Sequence, residues 1–128
     1  MDNFAVSKLE CVWEDDPKRT PIEQWRWRLL IRVPAAVTVT RLKEAKQALR
    51  DKGRDADAVQ RVTWKEGRAL QTMHVGPYDR VSVTYTRLGE RAEELGLDPV
   101  GPGHEIYISD PRRVAPERCK TIVRLGVR

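Results

Sequence analysis

Two cysteines and two histidines are all that 128 residues supply of thiol and imidazole chemistry. Cys11 and Cys119 lie far apart and belong to no CxxC or Cys/His cluster, so a disulfide scaffold is not indicated and both read as reduced thiols in or near a core. His74 and His104, with no HxxxH spacing and no nearby cysteine, fall short of a metal-ligand set. No apolar run approaches the roughly 20 residues that a membrane helix needs. The first ten residues lack the basic-then-apolar pattern of a secretory signal, which leads to the expectation of a cytoplasmic protein with no membrane partner. There is also no GxSxG nucleophile signature, no glycine-rich phosphate loop and no Cys-His pair, so covalent catalysis is not indicated and neither metal nor cofactor is expected.

What is present is ordinary for one globular domain: 40% hydrophobic and 34% charged residues. The net charge of +5 raises the question of nucleic acid. Basic residues are interleaved with acidic ones (Glu44/Lys46, Asp51/Lys52, Glu90/Arg91), with no Lys/Arg run and no helix-turn-helix, so direct nucleic-acid binding is not expected.

Periodicity organises the chain. Leu9 to Trp13 alternates as a short strand and runs into a loop at Glu14-Asp15-Asp16-Pro17. Gln24 to Val33 reads as a strand with Trp25, Trp27, Leu29, Ile31 and Val33 on one face and Arg26, Arg28, Leu30 and Arg32 on the other. Thr38 is positioned to cap a helix reaching about Lys52, with Leu42, Ala45 and Leu49 inward and Gly53 as its stop. Val59 to Lys65 and Arg68 to Val75 read as a hairpin about Glu66-Gly67. After Gly76-Pro77-Tyr78, Asp79 is expected to cap a helix with Val81, Tyr85, Leu88, Ala92 and Leu95 on one face, ended by Gly96; Gly89 within it suggests close packing. A Pro/Gly connector, Asp98 to Gly103, precedes a strand from His104, and Cys119 to Val127 reads as the last strand. The class is α+β, an antiparallel sheet with helices on one side.

The strand from His104 carries the chemistry. Alternation puts Glu105, Tyr107 and Ser109 on one face and His104, Ile106 and Ile108 on a second, dry one. A carboxylate in such a strand is expensive to bury. It either faces solvent, paired with an arginine such as Arg124, or lines a cavity, where its pKa should rise. Trp13, Trp25 and Trp27 are either core or the aromatic walls of a cleft. Tyr78 is either a pocket-rim residue or part of the turn.

His74-Val75-Gly76-Pro77-Tyr78-Asp79, followed after a helix by Glu105-Ile106-Tyr107-Ile108-Ser109-Asp110-Pro111, resembles the GyrI-like small-molecule-binding family. Leu9 to Asp16, Trp25 to Leu29 and Glu44-Ala45-Lys46 extend the likeness upstream. The resemblance implies two strand-helix-strand-strand units in one curved sheet, with a ligand groove between them. On this reading residues 1–128 form one such domain: 1–53 a first unit lacking its opening strand and helix, together with the connecting helix, and 59–128 a hairpin strand and a complete second unit. The face carrying Arg26, Arg28 and Arg32 is then expected to be open to water, and the open sheet edge to favour a homodimer.

The resemblance further implies lipophilic, cationic or planar aromatic ligands, as in multidrug-responsive regulators, with the pocket glutamate on Glu105 and pocket aromatics on Trp13, Trp25, Trp27 and Tyr107. Some stand-alone members hydrolyse cyclopropane-bearing alkylating natural products. In that case Glu105 would be the general base and Tyr107 would polarise the conjugated carbonyl. A third implied reading, from the family's namesake, is a protein-interaction module acting on DNA gyrase.

Overall fold

The computed structural model describes residues 5–15 and 19–128. The expected loop residues Asp16 and Pro17 lie outside these. The chain forms two compact units, one of residues 8–31 with 66–128 and the other around 32–65.

The larger unit is a five-stranded, open antiparallel sheet: β1 (Leu9–Trp13), β2 (Trp27–Ile31), β3 (Ala69–Val75), β4 (Pro99–Tyr107) and β5 (Lys120–Val127), in the order β2-β1-β4-β5-β3. Helix α2 (Val81–Glu94) packs against β3, β4 and β5. Cys11 pairs with Glu105 and Glu105 with Val123, so these three side chains share one sheet face. His74 of β3, on that same face, bonds Thr84 of α2, which identifies it as the helix face. Thr84, Leu88 and Ala92 are the buried residues of α2, and with Cys11 and Val123 they form its core. Both thiols are free and buried, as the sequence led us to expect.

The smaller unit contains α1 (Val39–Asp51), which begins where the sequence placed it. The Thr38 hydroxyl accepts the Arg41 N–H at 3.2 Å, and Gly53 leaves the helix at φ +75°. No residue of α1 is buried, so the expected inner stripe of Leu42, Ala45 and Leu49 does not form a core.

Several expectations are corrected. Val59 to Lys65 is not a strand. Both favoured two-residue hairpin turns need positive φ at the first turn residue, and of Glu66-Gly67 only the second, Gly67, has it, at +75°. Asp79 does not cap α2: it lies in a 3-10 turn, Tyr78–Arg80, and no side chain bonds the helix start. A Cβ built on Gly89 meets nothing within 4 Å, so no close packing calls for glycine there. The connector Asp98 to Gly103 is largely strand, since β4 begins at Pro99 and takes a register shift before Gly103. Strand β2 is shorter than expected. Its arginine face is open to water as expected, with the Arg26 side chain 71% and the Arg28 side chain 48% exposed and paired to Asp15 and Glu14, but its apolar face is open too: Trp27 is 62% and Leu29 60% exposed.

Candidate binding site

Glu105 is only 4% exposed, and its carboxylate points into the helix face. Three ring-borne donors converge on it. Trp13 Nε1 donates to Oε2 at 2.6 Å from the neighbouring strand β1, the Tyr85 hydroxyl donates to the same oxygen at 3.1 Å from α2, and the Tyr107 hydroxyl donates to Oε1 at 3.4 Å. The register explains the first contact: Trp13 pairs with Gly103, two residues before Glu105 on the same face. Gly103 explains the second, because a Cβ there would lie 3.1 Å from the Tyr85 ring; its absence lets the phenol reach the acid.

Among the described residues no lysine or arginine pairs with Glu105. Arg124, its alternative partner in the sequence reading, instead reaches Glu66 at 2.6 Å from the opposite face. A carboxylate offers about four acceptor positions. Three are filled here by neutral donors, leaving one position and a whole negative charge. The phenols of Tyr85 and Tyr107 are both held well above the ordinary phenol range, first by burial and then by the charge of Glu105. They therefore stay protonated and donate. Burial, reinforced by the same charge, also raises the Cys11 thiol.

The indole cluster continues outward. Trp13 meets Trp25 and Trp27 edge-on at centroid distances of 5.7 and 5.5 Å. Trp25 is tied down by an Nε1 bond to the Thr20 carbonyl at 2.8 Å. Trp13 alone of the three donates to Glu105; Trp25 and Trp27 reach the site through it. On the other side Tyr107 stacks edge-on with Tyr78 at 5.5 Å, and the Tyr78 hydroxyl donates to the Ser109 carbonyl at 3.1 Å. Tyr78 and Tyr107 line an open groove of about 530 Å³ together with Leu9, Asp110 and Arg112. Its rim is charged: Arg112 binds Asp110 through two nitrogens and holds that carboxyl down at about 2.

Two features escaped the sequence reading. Tyr85 counted only as one apolar position on a helical stripe, and nothing local announces that its hydroxyl meets a strand 20 residues away. The supposedly dry face of β4 carries a charged cluster. His104, 2% exposed, places Nε2 2.7 Å from Glu10 and Nδ1 3.0 Å from Glu66, which also holds Arg124.

The model of the GyrI-like small molecule binding domain matches residues 1–127. This chain belongs to the GyrI-like family. Among solved structures it is similar to an uncharacterized conserved protein from Listeria innocua (TM-score 0.86, 36% identity, 99% of this chain and 66% of that one). It is also similar to two structures described as hydrolases from Listeria innocua, with TM-scores of 0.83 and 0.84, each at 35% identity and covering 100% of this chain and 66% of the other. The GyrI-like chain thus spans just under two thirds of the length of these solved relatives. No functionally curated protein matches it. No helix among its described residues is long and apolar enough to cross a membrane.

Proposed function

We propose that this GyrI-like chain binds lipophilic cations with a planar aromatic portion. The observation that carries the reading is Glu105: a buried carboxylate solvated by three neutral ring donors, with one acceptor position open and no cation of the described chain beside it. A ligand cation would supply the missing charge. Trp13, Trp25 and Trp27 supply faces and edges for stacking, each worth about 0.5–2 kcal/mol toward a cation, and Tyr78 and Tyr107 line the approach. The 530 Å³ groove beside them has the capacity of a small-molecule site.

Titration with a planar quaternary-amine dye, followed by tryptophan fluorescence, tests this. Saturable quenching is expected, with the dye recovered chemically unchanged. Glu105→Gln should weaken binding at least tenfold while leaving the circular dichroism intact. A neutral isostere that binds as tightly, indifferent to Glu105→Gln, would remove the role given to charge.

A second reading is favoured by the description of two similar structures as hydrolases. With a cyclopropane conjugated to a carbonyl, Glu105 would take a proton from water as the water oxygen bonds to a ring carbon. The cleaved carbon–carbon pair would move onto the carbonyl, which Tyr107 polarises and which ends protonated. Mass spectrometry would then find the compound heavier by one water, a product that Glu105→Gln fails to form.

A further inference from the structure

Among the described residues, strand β3 lies at the end of the sheet and pairs only with β5. Where the ladder ends, the Val127 N–H bonds the Arg68 carbonyl and the Gly76 N–H bonds the Cys119 carbonyl. Even-numbered residues of β3 therefore turn their backbone groups toward β5. The antiparallel pattern then turns the N–H and C=O groups of Ala69, Gln71, Met73 and Val75 outward, to the open edge. Edge strands are usually blunted by charge, proline or a bulge. The seven residues of β3, Ala-Leu-Gln-Thr-Met-His-Val, contain neither charge nor proline, and their pairing with β5 runs without a shift.

A groove of about 470 Å³ follows this edge. One wall is β3 with exposed Met73 and Val75; the other is the start of α2, with exposed Val83 between Arg80 and Arg87. The floor is pinned. His74 Nε2 donates to the Pro77 carbonyl at 2.9 Å, an atom that can only accept, and Nδ1 lies 2.7 Å from the Thr84 hydroxyl oxygen. Neither Arg80 nor Arg87 has an ion pair among the described residues. The basic stretch ends one turn further along, at Glu90.

We propose that this edge is a docking site for an extended segment of a partner protein in which acidic and apolar residues alternate. Backbone pairing with β3 would extend the sheet by a sixth strand, as in strand addition elsewhere. Alternate side chains of such a strand face opposite ways. Those on the helix side meet Arg80, at the start of α2, and Arg87, about 10 Å further along it, a span between the roughly 7 Å and 14 Å that separate same-side strand residues two and four apart. Those on the other side lie beside Met73 and Val75. A second copy of this chain fits less well, because antiparallel β3-to-β3 pairing places both α2 helices on one face and turns the arginines of each toward the other.

The test is fluorescence anisotropy of the full chain with a labelled, end-capped heptapeptide of alternating valine and glutamate. Saturable binding is expected, falling as salt rises. Binding should be at least tenfold weaker for three probes: a peptide of the same composition with its glutamates in one block, an alternating valine and lysine peptide, and the Arg80→Glu/Arg87→Glu double variant. Met73→Pro deletes an outward N–H that β5 does not use, so it should abolish binding with the dichroism unchanged. If that variant does not fold, backbone N-methylation of the peptide makes the same cut from the other side. Equal binding of the block peptide, of the doubly reversed variant or of the N-methylated peptide would overturn the proposal. So would a dimer in sedimentation that Met73→Pro dissociates.

Discussion

The three donors to Glu105 are unequal in length, and their removal should be unequal in cost. A hydrogen bond to a charged group contributes about 1.5–3 kcal/mol, against about 1 kcal/mol for a neutral one. The Trp13 bond at 2.6 Å should lie at the upper end, Tyr85 at 3.1 Å lower, and Tyr107 at 3.4 Å near the limit where geometry ceases to count. Urea denaturation of Trp13→Phe, Tyr85→Phe and Tyr107→Phe is expected to rank them in that order, and a Tyr107→Phe loss as large as that of Trp13→Phe would contradict the geometry. Strand alternation singled out Glu105 but left it either in solvent or in a cavity, and its burial, at 4% exposure, puts it inside. Tyr85 was not singled out, since the hydroxyl of a tyrosine on an apolar helical stripe finds its acceptor only through the crossing of helix over strand. His104 was misread for a related reason: its partners Glu10 and Glu66 are 94 and 38 residues away. Replacing it with leucine removes its 2.7 Å contact with buried Glu10 and should cost about 1–3 kcal/mol, the usual penalty for losing a buried hydrogen-bond partner, measured by the same denaturation.

At the scale of elements, two glycines lie in opposite surroundings. Gly89 lies inside α2 with open space around its Cβ position, so Gly89→Ala should stabilise the chain by about 1 kcal/mol, seen as a higher midpoint in urea. Gly103 lies in β4 against the Tyr85 ring, so Gly103→Ala must displace that ring from Glu105 and weaken dye binding more than it weakens the fold. Strands and helices with strong local signals were legible. β1 matched residue for residue, and α1 was marked by Thr38 and Gly53 at its ends. The failures have a common origin. Val59 to Lys65 has the alternation of a strand but the wrong turn chemistry for its neighbour, while Pro99 to Gly103 has the composition of a loop but pairs with β5 on either side of a register shift, where Gly126 gives the Gly101 carbonyl room that any Cβ would occupy. In both cases pairing decided, and pairing is not a local property.

At the scale of the whole molecule, the ionisable groups gathered around one sheet set the range of pH over which it is stable. On the helix face Cys11, Tyr85 and Tyr107 are all raised, from ordinary values of 9.0 for the thiol and 10.0 for the phenols, burial being the largest cause for each. A group raised on folding contributes stability that is complete below its unfolded value and is lost as pH climbs through its folded one. On the other face Glu66 is lowered from 4.5: burial opposes this, and bonds from Arg124 and His104 outweigh it. Its contribution is complete above 4.5 and disappears as pH falls through the lower folded value. The urea midpoint should therefore be level between these limits and decline at both ends. Glu66→Gln should make the acid decline shallower and leave the alkaline one, because its amide has no proton to gain while Asp110 still has. Cys11→Ala combined with Tyr85→Phe should make the alkaline decline shallower and leave the acid one, because only Tyr107 of these three raised groups remains to ionise on unfolding. An alkaline limb of unchanged slope in that double variant would mean that the charge of Glu105 and its buried neighbours do not govern stability above pH 9, and that the acid is less enclosed than its three donors indicate.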